Sequence, residues 1–109
     1  MKKQKNKFNN VIVFEGEEKF DSKKEHNRWK ELKLLERAGA ITNLKRQVKF
    51  VLVEKSQYGR ERAYICDFAY WENGKYVVED VKSNITKTPL YRFKKRLVAE
   101  LYGIVIFET

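Results

Sequence analysis

The spacing of hydrophobic and polar positions changes period several times along the chain, and each change marks an element. "VIVFEGEEKF" (residues 11–20) holds an apolar run, a turn at Gly16 and a second extended piece, which predicts a small hairpin. "FDSKKEHNRWKELKLLERAGA" switches to helical spacing. Trp29, Leu32, Leu35 and Ala38 recur on one stripe, and Lys24, Arg28, Lys30, Glu31 and Lys33 cover the other face. Ser22 followed three residues later by Glu25 is a capping-box pattern, and Gly39 stands where a C-terminal cap belongs. Residues 47–54, "QVKFVLVE", alternate with β-branched residues and predict a strand. Two more strands, about 62–71 and 75–83, flank Asn73-Gly74, the strongest short hairpin signal. Thr88 and Pro89 open a second helix with Leu90, Phe93, Leu97, Val98 and Leu101 on its apolar face. Gly103 ends it, and "IVIFE" predicts a closing buried strand. The order hairpin, helix, three strands, helix, strand predicts an α/β sandwich around a small sheet.

The Asn-Gly turn also sets a register. With Asn73 and Gly74 as the loop, Glu72 pairs with Lys75, and counting outward puts Asp67 opposite Asp80. Directly opposed residues share a face, with Cβ atoms ~5 Å apart. Lys82 follows Asp80 on that face, while Glu79 points to the other and opposes Phe68. Two carboxylates at that separation repel by roughly 3 kcal/mol at an effective dielectric of about 20. A shared proton, Lys82 or a divalent cation with oxygen ligands would relieve it. Glu25 lies on the core-facing stripe of the first helix and approaches the same face if that helix crosses the sheet. As the third residue of the capping box it equally serves the Ser22 backbone. Asp67 satisfied by a neighbouring cation, and Asp80 with Lys82 as a surface pair, are the plainer readings.

Composition narrows the class. The chain has 109 residues, one small domain's worth, expected as a basic flexible tail over 1–10 and a single domain over 11–109. Lysine and arginine outnumber acids 24 to 15, for a formal charge of +9, which suits a polyanionic partner. A single cysteine, Cys66, excludes a disulfide framework and reads as core packing. No apolar run approaches a membrane span, so a cytoplasmic protein with no membrane partner is expected. His26 points about 100° away from Glu25 around the helix and reads as surface or supporting.

A helix glutamate, a strand aspartate and acid-x-Lys on the next strand (Glu25, Asp67, and the "DVK" of Asp80, Val81 and Lys82) resemble the PD-(D/E)XK nuclease superfamily. Cys66 stands where that pattern has proline, and the doublet Glu79-Asp80 leaves two choices for the second acid. The spacing to Lys82 selects Asp80. "FDSKKE", "ELKLLERAGAI" and "VVEDVK" are similar to stretches of a family of small phage and prophage proteins that look like resolvase-type endonucleases, over residues 14–107.

The resemblance implies a restriction-endonuclease-like core, a small mixed sheet flanked by two helices with an N-terminal hairpin. It implies a metal-dependent endodeoxyribonuclease acting on branched DNA, such as Holliday junctions, in a bacterial host cell. Glu25, Asp67 and Asp80, with the Val81 carbonyl, would hold Mg²⁺, for which Mn²⁺ substitutes. Lys82 would orient the attacking water. Lys23, Gln47, Lys87, Arg92, Lys95 and Arg96 would meet DNA, and incision of two strands calls for a homodimer. A non-catalytic DNA-binding or recombination-accessory protein on the same fold is the rival expectation.

Overall fold

The computed structural model describes residues 2–5, 11–82 and 87–109. The expected N-terminal hairpin is there, as β2 (Val11–Glu15) and β3 (Glu18–Phe20), with the turn at Gly16. A third strand, β1 (Lys2–Lys5), pairs with β2, so part of the basic tail is strand. The rest of the expected tail, residues 6–10, lies outside the described residues, as does residue 1.

Helix α1 (Lys23–Arg37) starts as its sequence predicts: the Glu25 N–H donates to Ser22 Oγ at 3.1 Å, and Gly39 follows in the left-handed region at φ 83°. Its buried side differs from the expected stripe. Glu25, His26 and Leu32 are buried, whereas Leu35 and Ala38, in the last turn and at its cap, are exposed.

The stretch expected as one strand over 47–54 is instead preceded by another. β4 (Thr42–Arg46) leads into β5 (Lys49–Val53) across Gln47, whose φ of 52° breaks the extension. The stretch expected as one strand over 62–71 also divides, into β6 (Arg62–Ile65) and β7 (Phe68–Glu72). Both breaks fall at one level. The Gln47 N–H donates to the Asp67 carbonyl at 3.0 Å, and the Cys66 N–H donates to the Val48 carbonyl at 3.0 Å. A long two-stranded ribbon therefore bends once. One half, β4 with β7, lies in the main sheet, and the other, β5 with β6, swings away from it.

The main sheet has the order β4-β7-β8-β9, with β8 at Lys75–Asp80 and β9 at Phe107–Glu108. Its β7–β8 pair follows the register counted from Asn73-Gly74, from Glu72 opposite Lys75 to Phe68 opposite Glu79. β9 runs parallel to β8, which makes the sheet mixed. Helix α2 (Pro89–Tyr102) is capped by Thr88 Oγ1, which accepts from the Tyr91 N–H at 3.1 Å, and ends at left-handed Gly103. Residues 83–86, the end of the third expected strand and most of its link to α2, are outside the described residues.

The protein is thus a mixed α/β fold with two helices on a small mixed sheet. α1 covers one face through Leu32, Ile41, Phe68 and Tyr70. α2 and the β5–β6 ribbon cover the other through Phe50, Tyr64, Ala69, Val78, Tyr91 and Val98. The inner face of α2 differs from the expected one. Tyr91 and Val98 face the core, and Leu90, Phe93 and Leu101 are more than half exposed. Leu32→Ala should therefore cost about 2–5 kcal/mol of stability. Leu34→Ala, at an exposed position of α1, should stay within about 0.5 kcal/mol of wild type in urea unfolding.

Candidate active site

Three elements meet where the ribbon leaves the sheet. Past the Phe68–Glu79 pair the ladder ends with the Asp67 N–H, which donates to the Glu79 carbonyl at 3.2 Å, and side chains join it there. The Asp67 N–H donates to Asp80 Oδ1 at 2.9 Å, and the Val81 N–H donates to Asp67 Oδ2 at 2.8 Å. Each aspartate thus accepts from main chain on the other's strand, so the two carboxylates expected to face one another are locked together. The Tyr64 hydroxyl donates to the second oxygen of Asp80. Lys82 Nζ stands 3.8 Å from that oxygen, with its ammonium 4.3 Å from the centroid of the Tyr91 ring.

Glu79 and Asp80 are both buried, and the fold separates their roles. Glu79 faces α1, where Arg28 Nε and Nη2 donate to its two oxygens at 2.9 and 2.8 Å and the Tyr70 hydroxyl donates as well. That bidentate pairing commits Glu79 to the helix–sheet contact. It also holds the Arg28 guanidinium charged, with its pKa raised by the Glu79 bond. Asp80 faces the α2 side with Tyr64 and Lys82, so the acid-x-Lys geometry belongs to Asp80.

Glu25 is buried too, but α1 does not cross the face that carries Asp80; it packs on the opposite one. The Glu25 charge nevertheless acts on Asp67. Beside Glu25 lies Arg46, which sequence reasoning missed. Its Nη2 is 3.7 Å from Glu25 Oε1 and donates to the Lys19 carbonyl at 2.8 Å. Its guanidinium lies 3.9 Å from the Phe20 ring centroid. Tyr64 was missed as well, since a tyrosine three positions before an aspartate carries no signal. His26 is buried against Phe20 and stands 3.4 Å from Glu15, so it belongs to the N-terminal hairpin contact and not to the surface.

Acids outnumber nearby cations here, and their acidity responds. Burial, then the Asp21 charge, pushes Glu25 up to about 7, against the pull of Arg46. Burial and the carboxylates of Glu25 and Asp80 raise Asp67; burial raises Asp80 against the Tyr64 hydroxyl and Lys82. Raised, closely spaced carboxyls with hard oxygen donors fit Mg²⁺ or Mn²⁺ in kind. Among the described residues, no group of three His, Cys, Asp or Glu side chains is arranged to hold a metal ion. Asp67 and Asp80 are the pair that fits, with Glu25 held toward Arg46. Val81, half-buried, is tied to the pair through its N–H.

The residues expected to meet DNA are distributed unevenly. Lys23 is exposed at the start of α1, and Gln47 is exposed at the ribbon bend, not at the start of a strand. Lys87 and Lys95 both pair with Glu108 at 3.3 Å, beside Asp80 in the parallel β8–β9 register. Arg92 is exposed, and Arg96 pairs with Glu100 at 3.0 Å. No helix among the described residues is long and apolar enough to cross a membrane.

The family comparison gives a class without an activity. The chain belongs to the family described as "Protein of unknown function (DUF1064)", whose profile matches residues 4–106. No curated protein and no solved structure matches it.

Two outcomes follow from this electrostatic arrangement. Arg28→Met strands the buried Glu79 carboxylate and should cost about 3–5 kcal/mol in urea unfolding. Glu25, Asp67 and Asp80 have pKa values raised by folding, so the stability they allow is fully present below the ordinary carboxylate range. It is lost as pH rises through 7 and beyond. Thermal melts without metal should give a higher midpoint at pH 5 than at pH 8. Asp67→Asn should flatten that slope, and Mg²⁺ should raise the midpoint at pH 8 for wild type alone.

Proposed function

We propose that the protein is a divalent-metal-dependent DNA endonuclease with a PD-(D/E)XK core, cutting branched DNA as a homodimer inside a bacterial host cell. The observation that carries this reading is the interlocked, buried Asp67–Asp80 pair with the Lys82 ammonium 3.8 Å from Asp80, at the point where two strands diverge. Burying two carboxylates side by side costs stability unless a cation offsets them. Lys82 supplies one charge, and Asp67 and Asp80, with Glu25 and the Val81 carbonyl, would hold a Mg²⁺ ion that would supply the rest. Bound there, it would polarise the scissile phosphodiester and lower the pKa of a water.

The chain's own groups then act on fixed atoms. Tyr64 holds one Asp80 oxygen, and the Asp67 N–H holds the other, so the carboxylate keeps its orientation without substrate. Lys82, braced on the Tyr91 ring, offers its ammonium to the attacking water or to the charge developing on the phosphate. Lys23, Gln47 and Arg92, exposed on separate elements, and Lys87, Lys95 and Arg96, each with an acid partner, give phosphate contacts at several points around the site. Leu90, Phe93 and Leu101 on the outer side of α2 offer apolar surface that a second copy would cover, as incision of two strands requires.

The rival reading, a non-catalytic DNA-binding or accessory protein on the same fold, gains from the occupied state of the aspartates. Their oxygens already accept hydrogen bonds from the protein itself.

Cleavage of a labelled four-way junction, a linear duplex and a single strand with Mg²⁺, Mn²⁺ or EDTA separates the two. Metal-dependent cutting is expected, strongest on the junction and abolished by Asp80→Ala. Lys82→Ala should lower the rate by about 10²–10³-fold while junction binding persists. Salt-sensitive binding with no cutting in either metal would select the accessory protein.

A further inference from the structure

A cavity of about 420 Å³ opens on the α1 face beside the site, lined by Lys24, Asn27, Arg28, Glu31, Phe107 and Thr109. It is tied to the acid-x-Lys strand at two points. Lys24 Nζ donates to the Lys82 carbonyl at 3.1 Å. The Thr109 N–H donates to the Asp80 carbonyl at 2.9 Å, and the Lys82 N–H donates to the Thr109 carbonyl at 3.2 Å. The cavity therefore adjoins the backbone of the acid-x-Lys strand, on the sheet face opposite the Asp80 carboxylate.

The chemistry of the walls selects the occupant. Arg28 is consumed by Glu79 and Glu31, and these two acids balance the two cations Arg28 and Lys24. A phosphate gains little from such a balanced set. What remains is hydrogen-bonding capacity in both directions from the Asn27 amide and the Glu31 carboxylate, set against an aromatic face. Phe107 is half exposed, at 53%, with no ring partner among the described residues. Thr109 Oγ1 is buried and has no hydrogen-bond partner among the described residues. A flat, uncharged group with donors and acceptors on its edge matches this set, and unpaired bases present such groups.

Resting on the nuclease reading above, we propose that this cavity takes one unstacked base of the bound DNA, against Phe107 with its edge at Asn27 and Glu31. Branched DNA offers such a base at low cost, because its pairing and stacking are already weakened at the branch point. The cavity would then act as the branch sensor, selecting shape without reading a long sequence.

The test uses a four-way junction and a matched linear duplex, each with 2-aminopurine at the branch position, in EDTA so that nothing is cut. Wild type should bind the junction more tightly and change the 2-aminopurine fluorescence there but not in the duplex. Phe107→Ala and Asn27→Ala should lose the fluorescence change. Phe107→Ala should also weaken junction binding by about tenfold, the scale of one base stacked on an aromatic ring, with duplex binding unaltered. Phe107→Leu, which keeps apolar cover without the ring, should behave as Phe107→Ala and so excludes a folding defect. Junction binding and fluorescence equal to wild type in both Phe107 variants would overturn the cavity and leave the nuclease reading standing. Phe107 dependence without metal-dependent cutting would support the cavity and sink the nuclease reading, and no DNA binding at all would sink both.

Discussion

The reciprocal grip of Asp67 and Asp80 is the constraint around which the other elements are arranged. Each uses a carboxylate oxygen to accept a main-chain N–H on the other's strand, where the ladder between β7 and β8 ends. That exchange gives the Val81 N–H a partner where β6 leaves the sheet, since buried N–H groups must find partners. The ribbon can then swing over to meet α2, bringing Tyr64 to Asp80 and Tyr91 near Lys82. β9 adds on the far side, through main-chain bonds between Thr109 and both Asp80 and Lys82.

Adjacent acids with opposite directions show how a strand divides chemistry. Glu79 meets a guanidinium that fits both its oxygens, and so serves the packing of α1. Asp80, one residue on, meets a hydroxyl, a single N–H and a distant ammonium. Its charge is oriented but not neutralised. The same alternation places Phe107 on the α1 side with Glu79, and Glu108 on the α2 side with Asp80. One two-residue strand thereby walls a cavity with one side chain and gathers Lys87, Lys95 and Tyr91 with the other.

Much of this was legible from the residues. Helix starts at Ser22 and Thr88 follow from capping chemistry that acts within four residues, and the Asn73-Gly74 turn carries its own register. The break at Asp67 was not legible. Residues 62–71 alternate well enough for a single strand, and the bend arises from a change of partner between β4 and β5. β4 itself, "TNLKR", is polar because it is a sheet edge, where charge guards against stray pairing. The inner face of α2 was misjudged because Leu90, Phe93 and Leu101 look like core. The helix buries Val98 as expected, and with it Tyr91, whose hydroxyl finds Glu108. Glu25 was rightly taken as inward-facing, yet its helix packs on the sheet face opposite Asp80, a placement no helical spacing conveys.

Asp80 and Lys82 differ in what folding demands of them. Asp80 closes hydrogen bonds from Tyr64 and from the Asp67 main chain, so natural selection for a folded protein alone would keep it. Among the described residues the Lys82 ammonium holds no main-chain group; it stands near Asp80 and over a ring. In a descendant without the proposed cleavage, drift would therefore reach the lysine first and leave the aspartates in place.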